Sequence, residues 1–252
     1  MMTKLFELSF INNWKPQDIV LKQIEGKREF PASIREMIEK EWAIVSKNNP
    51  HIYDGECYSL IDAKTLNKQL ICIVQECSYK DFIGTNIKNI ESIKDMSLLA
   101  NALAACVIIK TADDCIVVGK RSGLLAENKS EWHIIGGTLE SKNNMPESPF
   151  ELIHKEINEE LGMPEKYIIN LRCIGMGRAF HNNKPEFLMA CDTPLSNTQV
   201  AKLYQNASHK YEHDCIEFIK PADINQFAEN NRFSPIGLAA LACAEIYKIK
   251  EM

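Results

Sequence analysis

Apolar positions along the chain follow two periods, and the places where one gives way to the other mark its elements. Alternating or continuous apolar runs predict strands over Leu5 to Ile11, Tyr58 to Ile61, Leu70 to Cys77, Leu103 to Lys110, Cys115 to Lys120, Trp132 to Ile135, Ile168 to Ile174, Glu186 to Cys191 and Ile216 to Ile219. Ile34, Ile38, Trp42 and Val45 fall at helical spacing after Pro31 and a candidate Ser33 cap. Further helices are predicted over Pro149 to Leu161, Thr198 to Gln205 and Pro235 to Ile249. Polar turns at Lys64 to Lys68 and at Thr111 to Asp114 predict hairpins. Ser78 to Asn86 mixes aromatic and polar residues and reads from its composition as a packed connecting loop. Strands and helices mix without regular βαβ alternation, internal repeat or low-complexity tract, which predicts an α+β fold.

Length changes the picture little, since 252 residues suit one large domain or two modest ones. Charge changes it more. Twenty-nine basic residues against 34 acidic give a net charge of −5, which argues against a basic duplex-binding surface and against nucleic acid as a partner. No stretch of 18 apolar residues occurs and Met1 to Lys4 opens no signal-peptide core, so a soluble, cytoplasmic protein without a membrane partner is expected. Nine cysteines without a C-x-x-C pair sit mostly inside apolar runs. They read as buried free thiols of a reducing compartment rather than as a disulfide or zinc framework.

The chemistry is concentrated in one helix. Ser148 is a good N-cap, Pro149 suits the first helical position, Glu151 completes a capping box, and Gly162 followed by Pro164 ends the helix. Phe150, Ile153, Ile157 and Leu161 form its apolar stripe. Glu156, Glu159 and Glu160 lie at i, i+3 and i+4 and project to one side. Like charges so placed repel by about a few tenths of a kcal/mol per pair on a solvated helix. A divalent cation reverses that sign, and hard oxygen ligands without His or Cys suit Mg²⁺ or Mn²⁺. A solvated acidic face is the alternative; Gly136-Gly137 and Glu147 just upstream weigh against it.

From Glu147 to Met163 the segment resembles the Nudix box, G-x5-E-x7-R-E-U-x-E-E-x-G-U, where U is a bulky aliphatic residue. Two departures stand out. Lys155 occupies the position of the usual Arg, and four extra residues separate Gly137 from Glu147, around Lys142, Asn143 and Asn144. Trp42, Tyr53-Asp54-Gly55, the segment Tyr79 to Asn86, Ala112-Asp113-Asp114, Lys120-Arg121-Ser122, Gly175 to Arg178 and Glu186-Phe187 are similar to successive landmarks of one Nudix subgroup, the eukaryotic UDP-glucose/UDP-galactose diphosphatases.

The resemblance implies an αβα Nudix sandwich with a mixed sheet over residues 97–252, preceded by a smaller, α/β-containing N-terminal domain over residues 1–96. It implies Mg²⁺- or Mn²⁺-dependent hydrolysis of a UDP-hexose to UMP and hexose 1-phosphate, with Glu156, Glu159 and Glu160 as metal ligands. Glu212 is the first candidate for the general base and Glu147 the second, with His181, His209 and His213 as possible assistants. Lys155, like the family's Arg, is expected to pair with Glu147, without the bidentate fork. Gly137 is expected to let the backbone approach a phosphate. Arg178 and Arg121 are candidates for the diphosphate, and Tyr79, Phe82, Thr85 and Asn86 for the uracil or sugar. That last segment could equally dock the N-terminal part on the core. Two alternatives stay open: another nucleoside diphosphate derivative such as ADP-ribose or NADH, and a non-catalytic nucleotide-binding module. Oligomeric state is not specified.

Overall fold

Alternating half-buried and exposed residues from Phe6 onward form the first strand, β1 (Phe6–Trp14), which ends on Trp14, 1% exposed, its indole donating to Lys68 O at 2.9 Å. The computed structural model describes residues 5–49, 52–123, 125, 127–142 and 145–248. Met1 to Lys4, Asn143, Asn144 and Ile249, on which sequence expectations bear, lie outside the described residues.

After β1 come β2 (Ile19–Lys27) and helix α1 (Ala32–Asn48), which buries Ile34 and Ile38. Pro31, not Ser33, is the N-cap residue, and no side chain caps this helix. The predicted hairpin is present as β3 (Glu56–Leu66) and β4 (Gln69–Ser78), turning through Asn67 and Lys68 at φ 50° and 67°. β2 lies parallel to β4 and completes a three-stranded sheet in the order β2-β4-β3.

The segment expected to be a loop is helical. Ser78 and Asp81 form a capping box that starts α2 (Tyr79–Phe82), and a π-helical turn, Ile83–Ile87, continues it. Gly84 sits against α1 so closely that a Cβ there would lie 2.7 Å from Ile38 Cα.

The remaining strands are β5 (Ala104–Lys110), β6 (Ile116–Arg121), β7 (Trp132–His133), β8 (Ile135–Thr138), a short ribbon of β9 (Ser141–Lys142) with β10 (Met145–Pro146), β11 (Ile169–Ala179), β12 (Pro185–Asp192) and β13 (His213–Ile219). Helices α3 (Pro149–Leu161), α4 (Asn197–Tyr204), α5 (Ile224–Asn230) and α6 (Pro235–Cys243) pack around them. An eight-stranded mixed sheet runs β1-β11-β12-β5-β6-β13, with β12 and β5 parallel and the other pairs antiparallel. The architecture is α+β, with helices and strands mixed as the hydrophobic pattern predicts.

Two features of this sheet position the cavity. The expected hairpin of β5 and β6 opens at once, with only Lys110 and Ile116 in register. Beyond that point β5 takes β8 as its partner and β6 takes β7, so the chain from Trp132 to Thr138 crosses the widening gap. The second feature is β1, which joins the large sheet by pairing with β11 from Phe6–Ala179 to Trp14–Cys173. Residues 1–96 therefore contribute a strand to the sheet of the later residues, and one cluster of buried side chains holds Trp14, Tyr58, Leu70, Cys72 and Val74 together with Ile153, Ile157, Leu161 and Phe187. All nine cysteines are free and seven are buried. No helix among the described residues is long and apolar enough to cross a membrane.

Candidate functional site

Helix α3 is built as its sequence prescribes. Ser148 Oγ accepts from Phe150 N at 3.3 Å, Glu151 accepts from Ser148 N at 3.3 Å, and Gly162 adopts φ 65°. Its buried stripe is Phe150, Ile153, Ile157 and Leu161, which turns Glu156, Glu159 and Glu160 toward the gap between β5 and β6.

A cavity of about 820 Å³ opens there, walled by α3, the Gly136–Thr138 strand, the loop before β13, and Tyr53, Gly55, Cys57 and Tyr79 from the N-terminal part. Glu156, Glu159 and Glu212 line one end. Glu160 lies behind them, 1% exposed, with His213 Nε2 hydrogen-bonded to its Oε2; its Oε1 is buried without a hydrogen-bond partner. His209 Nδ1 stands 3.4 Å from both Glu159 Oε2 and Glu212 Oε1, linking the helix to the loop.

Burial pushes the Glu160 carboxyl up to about 8, and the charge of Glu212 adds to the effect. Glu156 is raised for the same first reason, then by Glu160. These carboxylates repel one another, and one holds an oxygen that nothing in the protein satisfies. An all-oxygen donor set in that condition fits a hard divalent cation such as Mg²⁺ or Mn²⁺. As placed, no group of three acidic, imidazole or thiol side chains among the described residues stands close enough to hold an ion.

Gly137 has a reason that spacing alone does not reveal. A Cβ at Gly137 would overlap the Glu156 carboxylate, with Cδ at 2.6 Å, so the missing side chain is the space in which Glu156 lies. At Gly136 a Cβ would meet backbone instead, 2.7 Å from Cys106 Cα.

Several expected roles are corrected by position. Lys155 Nζ pairs with Glu140 Oε2 at 2.7 Å rather than with Glu147. Glu147 is 7% exposed, its Oε1 accepts from Glu140 N at 2.9 Å, and its own N–H donates to Glu140 O at 3.2 Å. It ties down the Glu140 backbone and does not line the cavity, whereas Glu212 does. Arg178, on β11, donates to Asn183 Oδ1 at 3.3 Å and is also off the wall; Arg121, at the end of β6, is on it.

In the Tyr79 to Asn86 segment only Tyr79 reaches the cavity. Phe82, Thr85 and Asn86 are wholly buried. Thr85 Oγ1 donates to Asp81 O at 2.7 Å and accepts from Ala100 N at 2.9 Å. Asn86 Nδ2 donates to Asn182 O at 2.8 Å and Asn86 Oδ1 accepts from Asn101 N at 3.0 Å. These residues tie the N-terminal part to the loop between β11 and β12, because every polar atom they carry is already engaged in holding backbone. Among the histidines, His213 and His209 sit at the acidic end, while His181 is exposed and off the wall.

The sequence reading missed Glu127, His133, Glu140, Lys184 and Glu186, all on the cavity wall. One signal was available: Glu186 stands directly before the apolar run Phe187 to Cys191, and a buried strand rarely carries a carboxylate without a use for it.

The buried groups give this site a pH signature. Glu160 is pushed up to about 8 and Glu186 to about 7, both by burial first, so between the ordinary carboxylate range and those values the folded protein holds protons that the unfolded chain has released. Stability falls as pH rises across that window. His213, lowered to about 4 by burial, and His133, lowered well below its usual range, act oppositely, but only below about 6.5, where the unfolded chain takes up protons they refuse. From pH 6.5 to 8 the carboxyls act alone. Urea unfolding in chelator is expected to show a midpoint that falls over this range, with Glu186→Gln shallower than wild type. A flat profile in both proteins would contradict the burial of these groups.

No family model matches the chain, and no curated protein matches it. Solved structures do. A protein from Deinococcus radiodurans is 12% identical, covering 58% of this chain and 83% of its own, with a TM-score of 0.43. A mutT/nudix family protein from Listeria innocua is 18% identical over 57% and 92% of the two chains, TM-score 0.41. A binary complex of an Ap4A hydrolase from C. elegans is 14% identical over 57% and 95%, TM-score 0.38. Identities and scores this low do not by themselves place the chain in a family.

Proposed function

We propose that the chain is a Nudix-type hydrolase that cleaves the diphosphate bond of a UDP-hexose, UDP-glucose or UDP-galactose, to UMP and hexose 1-phosphate. The observation that carries the hydrolase reading is that Glu156, Glu159 and Glu212 line one cavity large enough for a nucleotide sugar, with Glu160 buried beside them and its Oε1 without a hydrogen-bond partner. The UDP-hexose reading rests further on the resemblance of the N-terminal segments, among which Tyr53, Gly55 and Tyr79 reach the same cavity.

Glu156, Glu159 and Glu160 would hold Mg²⁺ or Mn²⁺. When bound, the cation neutralises the diphosphate and acidifies a coordinated water. Glu212, facing Glu156 and steadied by His209, takes the proton of the attacking water at its carboxylate. Water attack on phosphorus breaks the P–O–P bond and the phosphate leaves with the hexose. Arg121, on the wall beyond the carboxylates, supplies positive charge to the diphosphate oxygens. Lys155, bound to Glu140, and Glu147, clamping the Glu140 backbone, hold the Gly137 strand against α3.

Purified protein with Mg²⁺ is expected to convert UDP-glucose or UDP-galactose to UMP and hexose 1-phosphate, resolved by anion-exchange chromatography, faster than it acts on ADP-ribose or NADH. Preference for the adenine compounds would replace the uridine reading while keeping the hydrolase. Nucleotide binding without turnover of any of the four would make the protein a binding module.

A further inference from the structure

Besides the carboxylates of the acidic helix, the cavity wall carries a second set of charged side chains that the hydrolytic reading leaves unused. Lys184 Nζ pairs with Glu127 at 3.0 and 3.2 Å, their side chains 8% and 10% exposed, and the ammonium lies 5.0 Å over the Phe82 ring. The Tyr79 phenol meets Glu127, and Glu186, 7% exposed, faces Lys184 with the Cys106 thiol beside it. Each of Tyr79, Glu127, Lys184 and Glu186 is on the cavity wall.

A buried ion pair with a further carboxyl gives a fold little net stability against well-packed apolar side chains. Here it sits where a ligand could reach it. Lys184 and Glu127 offset each other, and the cation left over for a phosphate is Arg121, whose Nε donates to Glu127 O at 3.2 Å on the same wall. What the set itself presents is carboxyl oxygen in quantity, and carboxyl oxygens ask for donors. A uracil ring offers one N–H donor among two carbonyl acceptors. A pyranose offers several hydroxyls and an apolar face of C–H groups that suits the Tyr79 ring.

We infer that Glu186, Glu127 and Lys184, with Tyr79 beside them, form the subsite that recognises the hydroxyl-bearing glycosyl part of the substrate, and that Glu186 and Glu127 are specificity-determining residues. The inference rests on the hydrolase reading for its account of which ligand enters, and it leaves the uridine at the other side of the diphosphate. Phe82 and Asn86 then serve it indirectly: Phe82 lies beneath Lys184, and Asn86 fixes the Asn182 backbone two residues before it.

Calorimetry on the full chain in Mg²⁺ tests this with two probes, glucose 1-phosphate and UMP, on wild type, Glu186→Gln and Glu127→Gln, with thermal melts to confirm that each variant folds. With a carboxyl hydrogen bond to a sugar hydroxyl removed, at least one variant should bind glucose 1-phosphate about tenfold or more weakly and UMP within about twofold of wild type. A selective loss of UMP binding would assign the subsite to the base and overturn the inference. So would unchanged binding of both probes in both folded variants, or a wild type that does not bind glucose 1-phosphate. If wild type hydrolyses no diphosphate yet loses glucose 1-phosphate selectively in Glu186→Gln, the function proposed above fails and the subsite stands.

Discussion

Glu160→Gln is expected, on the function proposed above, to abolish most UDP-hexose hydrolysis while making the metal-free protein more resistant to unfolding above about pH 8. The two effects share one cause. Glu160 is 1% exposed, its Oε1 has no partner, and its charge faces Glu156 and Glu212. Burial holds the Glu160 carboxyl up to about 8, so it is in melts above that pH, where it is ionised, that a neutral amide of the same shape removes repulsion and desolvation together. In the proposed function the same substitution removes a ligand from the cation that would offset the diphosphate charge. Loss of several kcal/mol of transition-state stabilisation corresponds to about 10³-fold or more in kcat/KM. Steady-state kinetics and thermal melts in chelator check both halves. A destabilised variant would mean that His213 stabilises Glu160 more than the other glutamates disfavour it, and a fully active one would remove Glu160 from the metal site.

Two neighbouring glycines should respond oppositely to the same added methyl group. In Gly137→Ala the new Cβ competes with the Glu156 carboxylate, the movable end of a flexible side chain. The chain can yield by swinging Glu156 aside, so the melting temperature should change little. Displacing a catalytic group by about 1 Å can cost about 10²-fold, and kcat is where that loss should appear. In Gly136→Ala the obstruction is the backbone of β5 at Ala105 and Cys106, which cannot swing. Overpacking of that kind costs about 1–3 kcal/mol of stability. Equal activity losses without any difference in stability would mean that the close approach of Glu156 to Gly137 is not what the site requires.

Helix α3 was legible in the sequence because everything that defines it is local: cap, first-turn proline, stripe and terminating glycine lie within fifteen residues of one another. The N-terminal half of the Tyr79 segment carries an equally local signal, the capping box of Ser78 and Asp81, which the loop reading from composition missed. What could not be read was anything settled by distant partners. β1 is an amphipathic strand whose neighbour, β11, comes far later in the chain, and no local pattern names it. The gap between β5 and β6 arises because β8 and β7 outcompete a continuing hairpin. Phe82, Thr85 and Asn86 have the chemistry of ligand-binding residues, but only the fold shows that their faces turn inward. The pairing of Lys155 with Glu140 depends on how the 140–147 loop closes, which the motif does not encode.

The pairing of β1 with β11 also governs when the catalytic sheet can be completed. During synthesis β1 emerges first and has no partner in its own sheet until the ribosome has released the whole of α3 and the strand after it. Contacts of such long sequence separation form slowly, and a waiting apolar strand is exposed to wrong partners. A chain begun at residue 97 would avoid the wait but leave β11 as an open edge, unpaired along the face where Trp14 and Phe10 now lie. The first strand therefore works as the closing piece of the sheet along β11, and trimming it should produce aggregation.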